Sequence, residues 1–309
     1  IMCTISILGM LYATDFLLLA LLFGLLRTGT HTFPLLSRSF VSSSNPKYQG
    51  RMNGWVMTAG NVGGIIGPVF LSVLLVISVS GMIILTSLTS ILSMILFVLF
   101  MPNELGMSKM SLIEQLRVSA KDIGRFRTQI LISLIAGLLN GIFTTLQVPY
   151  LNYVLRLTPI EIGLVVGVIQ TVGLGFILLG GEMTDRFGPR SVFFYSLTLE
   201  IFCGLLVAFI PGLLFFVIGQ IGLNGGVSTL ITSSTTLMSR KAIKKTFATT
   251  FGFTSGFFFL GTSIAPSIAS ELYLIDPKIP FLLVSAISLI VVPAIYFLFH
   301  DDSSSKSIS

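Results

Sequence analysis

Ten uninterrupted apolar runs make up most of this chain, and they leave it few ways to fold. They cover roughly residues 1–14, 16–40, 54–77, 80–101, 129–154, 160–180, 191–210, 212–238, 247–269 and 279–299. All but the short first run reach the length of about 20 residues that a helix needs to cross a bilayer. Within lipid, backbone N–H and C=O groups must be satisfied inside the protein, so only helices and closed barrels span it. Barrel strands alternate apolar and polar residues over about 10 positions. These runs are continuous and far longer. With 53% hydrophobic and 10% charged residues and a mean hydropathy of +0.97, a soluble domain is excluded. The expected fold class is an all-α polytopic membrane protein with about ten transmembrane helices.

The net charge of +6 raises nucleic acid as a partner, but the distribution of the charge excludes it. The loops on one side hold Arg38, Lys47, Arg51, Lys109, Arg117, Lys121, Arg125, Arg127, Arg186, Arg190, Arg240, Lys241, Lys244, Lys245 and Lys306. The other side holds only Arg156 and Lys278, and Arg27 lies inside a run. Basic loops stay in the cytoplasm, so both termini are expected there, in a multi-pass protein of the plasma membrane. Attraction to anionic lipid is a by-product. Cys3 and Cys203 fall inside apolar runs and imply no disulfide framework. The first run lacks a basic start and a cleavage site, so it is not a signal peptide. With two histidines, His31 and His300, no His-x-x-x-His metal motif exists, and there is no Walker loop. Metal, cofactor and enzymatic chemistry are not expected.

The chain also resembles itself. A shift of 198 positions superimposes Gly24 on Gly222, Leu25 on Leu223, Gly54 on Gly252, Gly63 on Gly261 and Pro68 on Pro266. Helix boundaries superimpose as well: residues 16–40 fall on the eighth run, 54–77 on the ninth, 80–101 on the tenth, and 1–14 on the second half of the seventh.

Charge concentrates in one short segment between the sixth and seventh runs, Gly181-Glu182-Met183-Thr184-Asp185-Arg186-Phe187-Gly188-Pro189-Arg190. It resembles the signature loop of the major facilitator superfamily, Gly-x-x-x-Asp-Arg-x-Gly-Arg-Arg/Lys. Gly181, Asp185, Arg186, Gly188 and Arg190 fit, and Pro189 stands where Arg is usual. The resemblance implies a transporter with two parallel six-helix halves, and a cytoplasmic gate at this turn. Asp185 is expected near the N-terminus of the following helix, where the dipole favours a carboxylate. Arg186 and Arg190 are expected to pair across the gate. A basic loop that merely obeys topology would have the same composition. Residues 1–101 then form a partial N-terminal half, helices 3–6 of the family fold. Residues 102–127 are a cytoplasmic linker, 128–299 the C-terminal half and 300–309 a polar, disordered tail. The counterpart of 128–198 would precede Ile1, so about 70 further residues are expected there, the alternative being a ten-helix protein. In the linker, Ser111-Leu112-Ile113-Glu114 reads as a capping box opening a helix on the membrane face.

Several residues are candidates for packing or binding. Gly60, Gly64 and Pro68 share one helical face, with Gly67 beside them, and suit close packing or a kink. The stretch resembles the Gly-Pro motif of family members that export by antiport. Arg27 lies mid-span, with His31 one turn on; a charge at that depth is a functional candidate, or a structural Arg that snorkels. Glu200 is about 15 Å into the seventh run, at helical rise. The resemblance makes that helix an outer, supporting one, so Glu200 either titrates or is a paired structural acid. Gln220 and Asn224 on the eighth run, and Asn140 and Thr144 on the fifth, are uncharged hydrogen-bonding groups. The resemblance places those helices around a central cavity, with Gln170 a weaker candidate. Helix-to-helix hydrogen bonding would use the same residues.

The resulting reading is a secondary transporter of a small molecule working by alternating access through proton-coupled efflux. Its expected partners are the small-molecule substrate, protons and the lipid bilayer, and the protein is expected to be a monomer. The alternatives are an uptake carrier of the same family and a transport-incompetent fragment.

Overall fold

The chain is described by a computed structural model over residues 2–10, 78–100, 126–241 and 247–304, together with Tyr12, Asp15, Leu18, Leu22, Arg51, Met52, Trp55 and Thr58. All elements among these residues are helical: α1 (Met2–Met10), α2 (Val79–Phe100), α3 (Arg127–Pro149), α4 (Pro159–Phe187), α5 (Pro189–Phe209), α6 (Leu213–Lys241), α7 (Phe247–Ile275) and α8 (Ile279–Ser304). Five stretches of 21–29 residues, within α3 to α7, are long and apolar enough to cross a membrane. Shorter apolar segments, Ile83–Leu92 and Ile279–Ala294, lie in α2 and α8. The linker helix expected after Ser111 lies outside the described residues.

Local chemistry sets the helix ends. Thr158 caps α4: its hydroxyl accepts the Glu161 amide, and Glu161 accepts the Thr158 amide at 2.7 Å, with Pro159 in the first turn. Gly188 ends α4 at φ 81° and ψ 157°, a conformation open essentially to glycine alone. Pro189 then opens α5, where a missing N–H costs nothing. Ile210 stops α5 in extended backbone because Pro211 follows. At the far end of α3, Pro149 removes an amide and the chain widens into π-helix over Tyr150–Val154. The tail differs from expectation. α8 runs through His300 to Ser304, because polarity alone does not break a helix and no Gly or Pro intervenes.

The core of α3–α8 is built on glycine. α3 pairs most extensively with α7, α6 lies between α4 and α5, and α8 closes on α5. At Gly137 of α3 the backbone passes so near the Phe258 carbonyl of α7 that no Cβ fits. Gly219, Gly222 and Gly226 of α6 similarly receive Val207, Cys203 and Glu200 of α5. Close approach of this kind holds membrane helices together where the hydrophobic effect offers nothing. An aromatic cluster ties three helix ends, Tyr150 stacking on Phe216 at 4.6 Å with Phe281 edge-on to both. Outward faces are apolar at helical spacing: Ile160, Leu164, Val168 and Val172 on α4, Leu260, Ile264 and Ile268 on α7. Such stripes need lipid as their solvent.

The internal shift of 198 has a structural echo. α1 packs on α2 as α5 packs on α8, the pair the shift predicts.

Candidate functional site

The charged segment is less of a turn than its sequence suggests. Gly181 through Phe187 continue α4, and Gly188 alone joins it to α5. Asp185 is therefore in the last turn of α4, not near the N-terminus of the following helix as expected. No residue before Gly188 breaks the helix, which carries the acid outward on α4. That end of a helix is the negative one and disfavours a carboxylate. Another helix compensates: the backbone N–H of Arg51 donates to Asp185 Oδ2 at 2.9 Å. Arg51 and Met52 are helical and come from a distant part of the chain, so the acid is held by a backbone amide from outside α4.

Glu182 adds the second contact. Its Oε1 lies 2.6 Å from Arg186 Nη2, one turn along α4, and 3.7 Å from Arg51 Nη2. These groups are 37–68% exposed, and such pairs are worth about 0–1 kcal/mol each. Arg190 is exposed in the first turn of α5, and Gly181 is buried. Beneath the charges, the fully buried Thr184 hydroxyl meets Ser233 of α6 at 2.5 Å.

A second polar cluster lies deeper. The Asn224 amide of α6 donates to Gln170 Oε1 of α4 at 3.1 Å, and Ser228 donates to Asn224 Oδ1 at 3.3 Å. Gln220, one turn away, is fully buried, and neither of its amide atoms has a hydrogen-bond partner among the described residues. Thr144 on α3 bonds the Asn140 carbonyl within its own helix, and no described hydrogen bond joins either residue to the α4–α6 cluster. Hydrogen bonds join Gln170, Asn224 and Ser228, and no described hydrogen bond adds Asn140 or Thr144 to that set.

Glu200 belongs to neither group. It is fully enclosed on α5, where Ser288 of α8 donates to its Oε2 at 2.9 Å. Arg27, His31, Gly60, Gly64, Gly67 and Pro68 lie outside the described residues. The sequence reading missed Glu182, Thr184, Ser233 and Ser288 as partners. It counted Arg51 only as a topological charge. An acid three residues before Asp185, opposite a basic loop, was the available signal for Arg51 and Glu182; nothing local marks the hydroxyls.

The family described as Major Facilitator Superfamily matches residues 129–309. No curated protein matches the chain. Among solved structures, the human organic anion transporter MFSD10 (TETRAN) is similar, with a TM-score of 0.74 at 14% identity, over 95% of this chain and 74% of that one. A bacterial homologue of the iron transporter ferroportin, in an outward-facing state, gives 0.65 at 20% identity, over 98% and 81%. The E. coli fucose:proton symporter FucP gives 0.64 at 14%, over 96% and 80%. Glycine-packed spanning helices, a charged hinge joining α4 to α5 and a family match over more than half the sequence converge: this chain belongs to the major facilitator superfamily.

Proposed function

We propose that this protein is a secondary transporter that moves a small polar molecule by alternating access, coupled to protons and working as an exporter. The observation that carries this is the contact of Arg51 with Asp185 and Glu182. It links a helix early in the chain to the end of α4 through one charge-assisted hydrogen bond and one exposed ion pair. A latch must hold one end shut yet release cheaply, and contacts worth about 0–1 kcal/mol each do so. Asp185, Arg186, Gly188 and Arg190 are the gate residues in this reading, with Arg51 and Glu182 added. The Gln170–Asn224–Ser228 cluster supplies uncharged groups suited to orienting a polar solute. In this reading the gate and both termini lie in the cytoplasm, which the distribution of basic loops supports.

Reconstitution tests this. Vesicles loaded with carboxyfluorescein, a fluorescent organic anion, and with radiolabelled fucose are given an imposed pH gradient. Gradient-driven movement of either probe is expected, and Asp185→Asn is expected to slow it about fivefold, the rate equivalent of about 1 kcal/mol, with insertion intact. Unchanged turnover in that variant removes the gate role. A symporter running inward is the second reading, favoured by the likeness to a fucose:proton symporter. Reversing the gradient separates the two directions.

A further inference from the structure

Glu200 is a buried acid with no cation bonded to it among the described residues. Its side chain is 0% exposed, on a helix long enough to span the membrane. α5, α6 and α8 surround it. From α5 itself come Ser196, one turn before it, and Cys203, nearly one turn after. From α8 comes Ser288, which donates to Oε2, with Ser285 bonded to the Ile201 carbonyl of α5 close by. From α6 comes the bare backbone of Gly226, where an added Cβ would lie 2.7 Å from Glu200 Cγ and 3.0 Å from Oε1. Oε1 itself has no hydrogen-bond partner among the described residues. The facing groups are thus hydroxyls, a thiol and a glycine, and no described Lys, Arg or His is bonded to the carboxyl.

A carboxylate moved into such surroundings loses its hydration for a single hydroxyl hydrogen bond in return, whereas a neutral acid keeps that bond and leaves only Oε1 unpaired. The enclosure therefore accommodates Glu200 with its proton. Water is needed to stabilise the ionised form, and α6 is what excludes it, through Gly226. α6 also carries Asn224, whose side chain faces Gln170 on α4.

We propose that Glu200 is a proton-binding site of this transporter, separate from the Gln170–Asn224–Ser228 cluster, and that it exchanges its proton only when α6 withdraws Gly226 from the carboxyl. The step is reversible protonation: the O–H bond of the acid breaks, the proton passes to entering water, and the carboxylate remains until α6 returns. The proposal rests on the transport reading for its purpose, since a proton site uncovered by the movement of a neighbouring helix couples a gradient to a conformational cycle.

Infrared spectroscopy on the full chain in lipid tests it without a substrate. The wild type is expected to show the carbonyl stretch of a protonated carboxylic acid that Glu200→Gln lacks. Glutamine retains the shape and the Ser288 contact, so loss of the band does not reflect misfolding. In D2O the band is expected to shift, and Gly226→Ala to alter the rate of that shift. Identical wild-type and E200Q spectra overturn the proposal, because the carboxyl is then ionised. A band that never shifts in D2O also overturns it, because the proton is then sealed in a structural acid. If neither probe moves in vesicles yet the band exchanges, the transport reading fails while Glu200 stands as a proton site. Transport with unchanged pH dependence in E200Q leaves the transport reading intact and removes Glu200 from it.

Discussion

Two glycines, Gly188 and Gly226, do work here that no other residue can do, for different reasons. Gly188 has open space around it, so an added methyl meets nothing, but its φ of 81° suits no L side chain. Gly188→Ala is expected to cost about 1–3 kcal/mol, read as a lower unfolding midpoint in detergent. Gly226 is helical and unstrained, yet faces Glu200 and the Ser196 carbonyl at 3.1 Å. Gly226→Ala is expected to cost a similar amount, about 1–3 kcal/mol, through overpacking. Gly175 is the control: it is helical, with nothing within 4 Å of a Cβ, and Gly175→Ala is expected to leave the midpoint unchanged or slightly raised. A destabilised G175A would show that space at the Cβ position does not decide these sites, because helix propensity alone favours Ala. None of these differences was legible in the sequence beyond Gly188, where a signature pattern flagged the position. Thirty glycines look alike until the neighbouring helix is placed.

At the level of elements, α4 and α6 are joined by polar contacts at three depths: Gln170 with Asn224, the Phe176 carbonyl with Thr229, and Thr184 with Ser233. The last is next to Asp185 and holds the charged end of α4 against α6. Thr184→Val leaves the fully buried Ser233 hydroxyl without that partner, and the expected cost is about 1–3 kcal/mol. Removing both hydroxyls, with Ser233→Ala added, is expected to cost less than the two single changes summed, a coupling that a double-mutant cycle in thermal unfolding reads directly. Strict additivity would mean the pair contributes nothing jointly. The helices themselves were legible early. The runs over 129–154, 191–210 and 212–238 lie within a few residues of the observed elements, because twenty apolar residues in lipid have one solution. The ends were less so. α4 outlasts its apolar run by seven residues, because Glu182 and Arg186 are sound helix formers once they reach water, and hydropathy is blind to that. The π-helical turn after Pro149 depends on which carbonyl each amide selects, which composition does not encode.

For the whole molecule, the central question is which ends of the helices face which solution. The Arg51–Glu182–Asp185 contact is at one end of α4, and Thr158 and Glu161 at the other. Lys278 follows α7 at the end away from its start at Phe247, and its amide is held by Asp276 at 2.8 Å. If the basic loops stay in the cytoplasm, cysteines placed at positions 186 and 278 must be reached by an impermeant maleimide from opposite sides of a sealed membrane. Of the two native cysteines, Cys203 is buried and contributes little background, and Cys3 is replaced by Ser for the experiment. Position 186 is expected to label only after the membrane is opened, and position 278 in intact cells. Labelling of both from one side would contradict the three spanning helices, α5 to α7, that separate the two positions. It would dismantle the gate along with the topology. The same pair of labels reports on the latch. Since each exposed ion pair there is worth about 0–1 kcal/mol, raising salt is expected to speed labelling at 186 while leaving 278 unchanged. A salt response equal at both positions would mean that screening acts on the reagent and not on the contact between Arg51 and the end of α4.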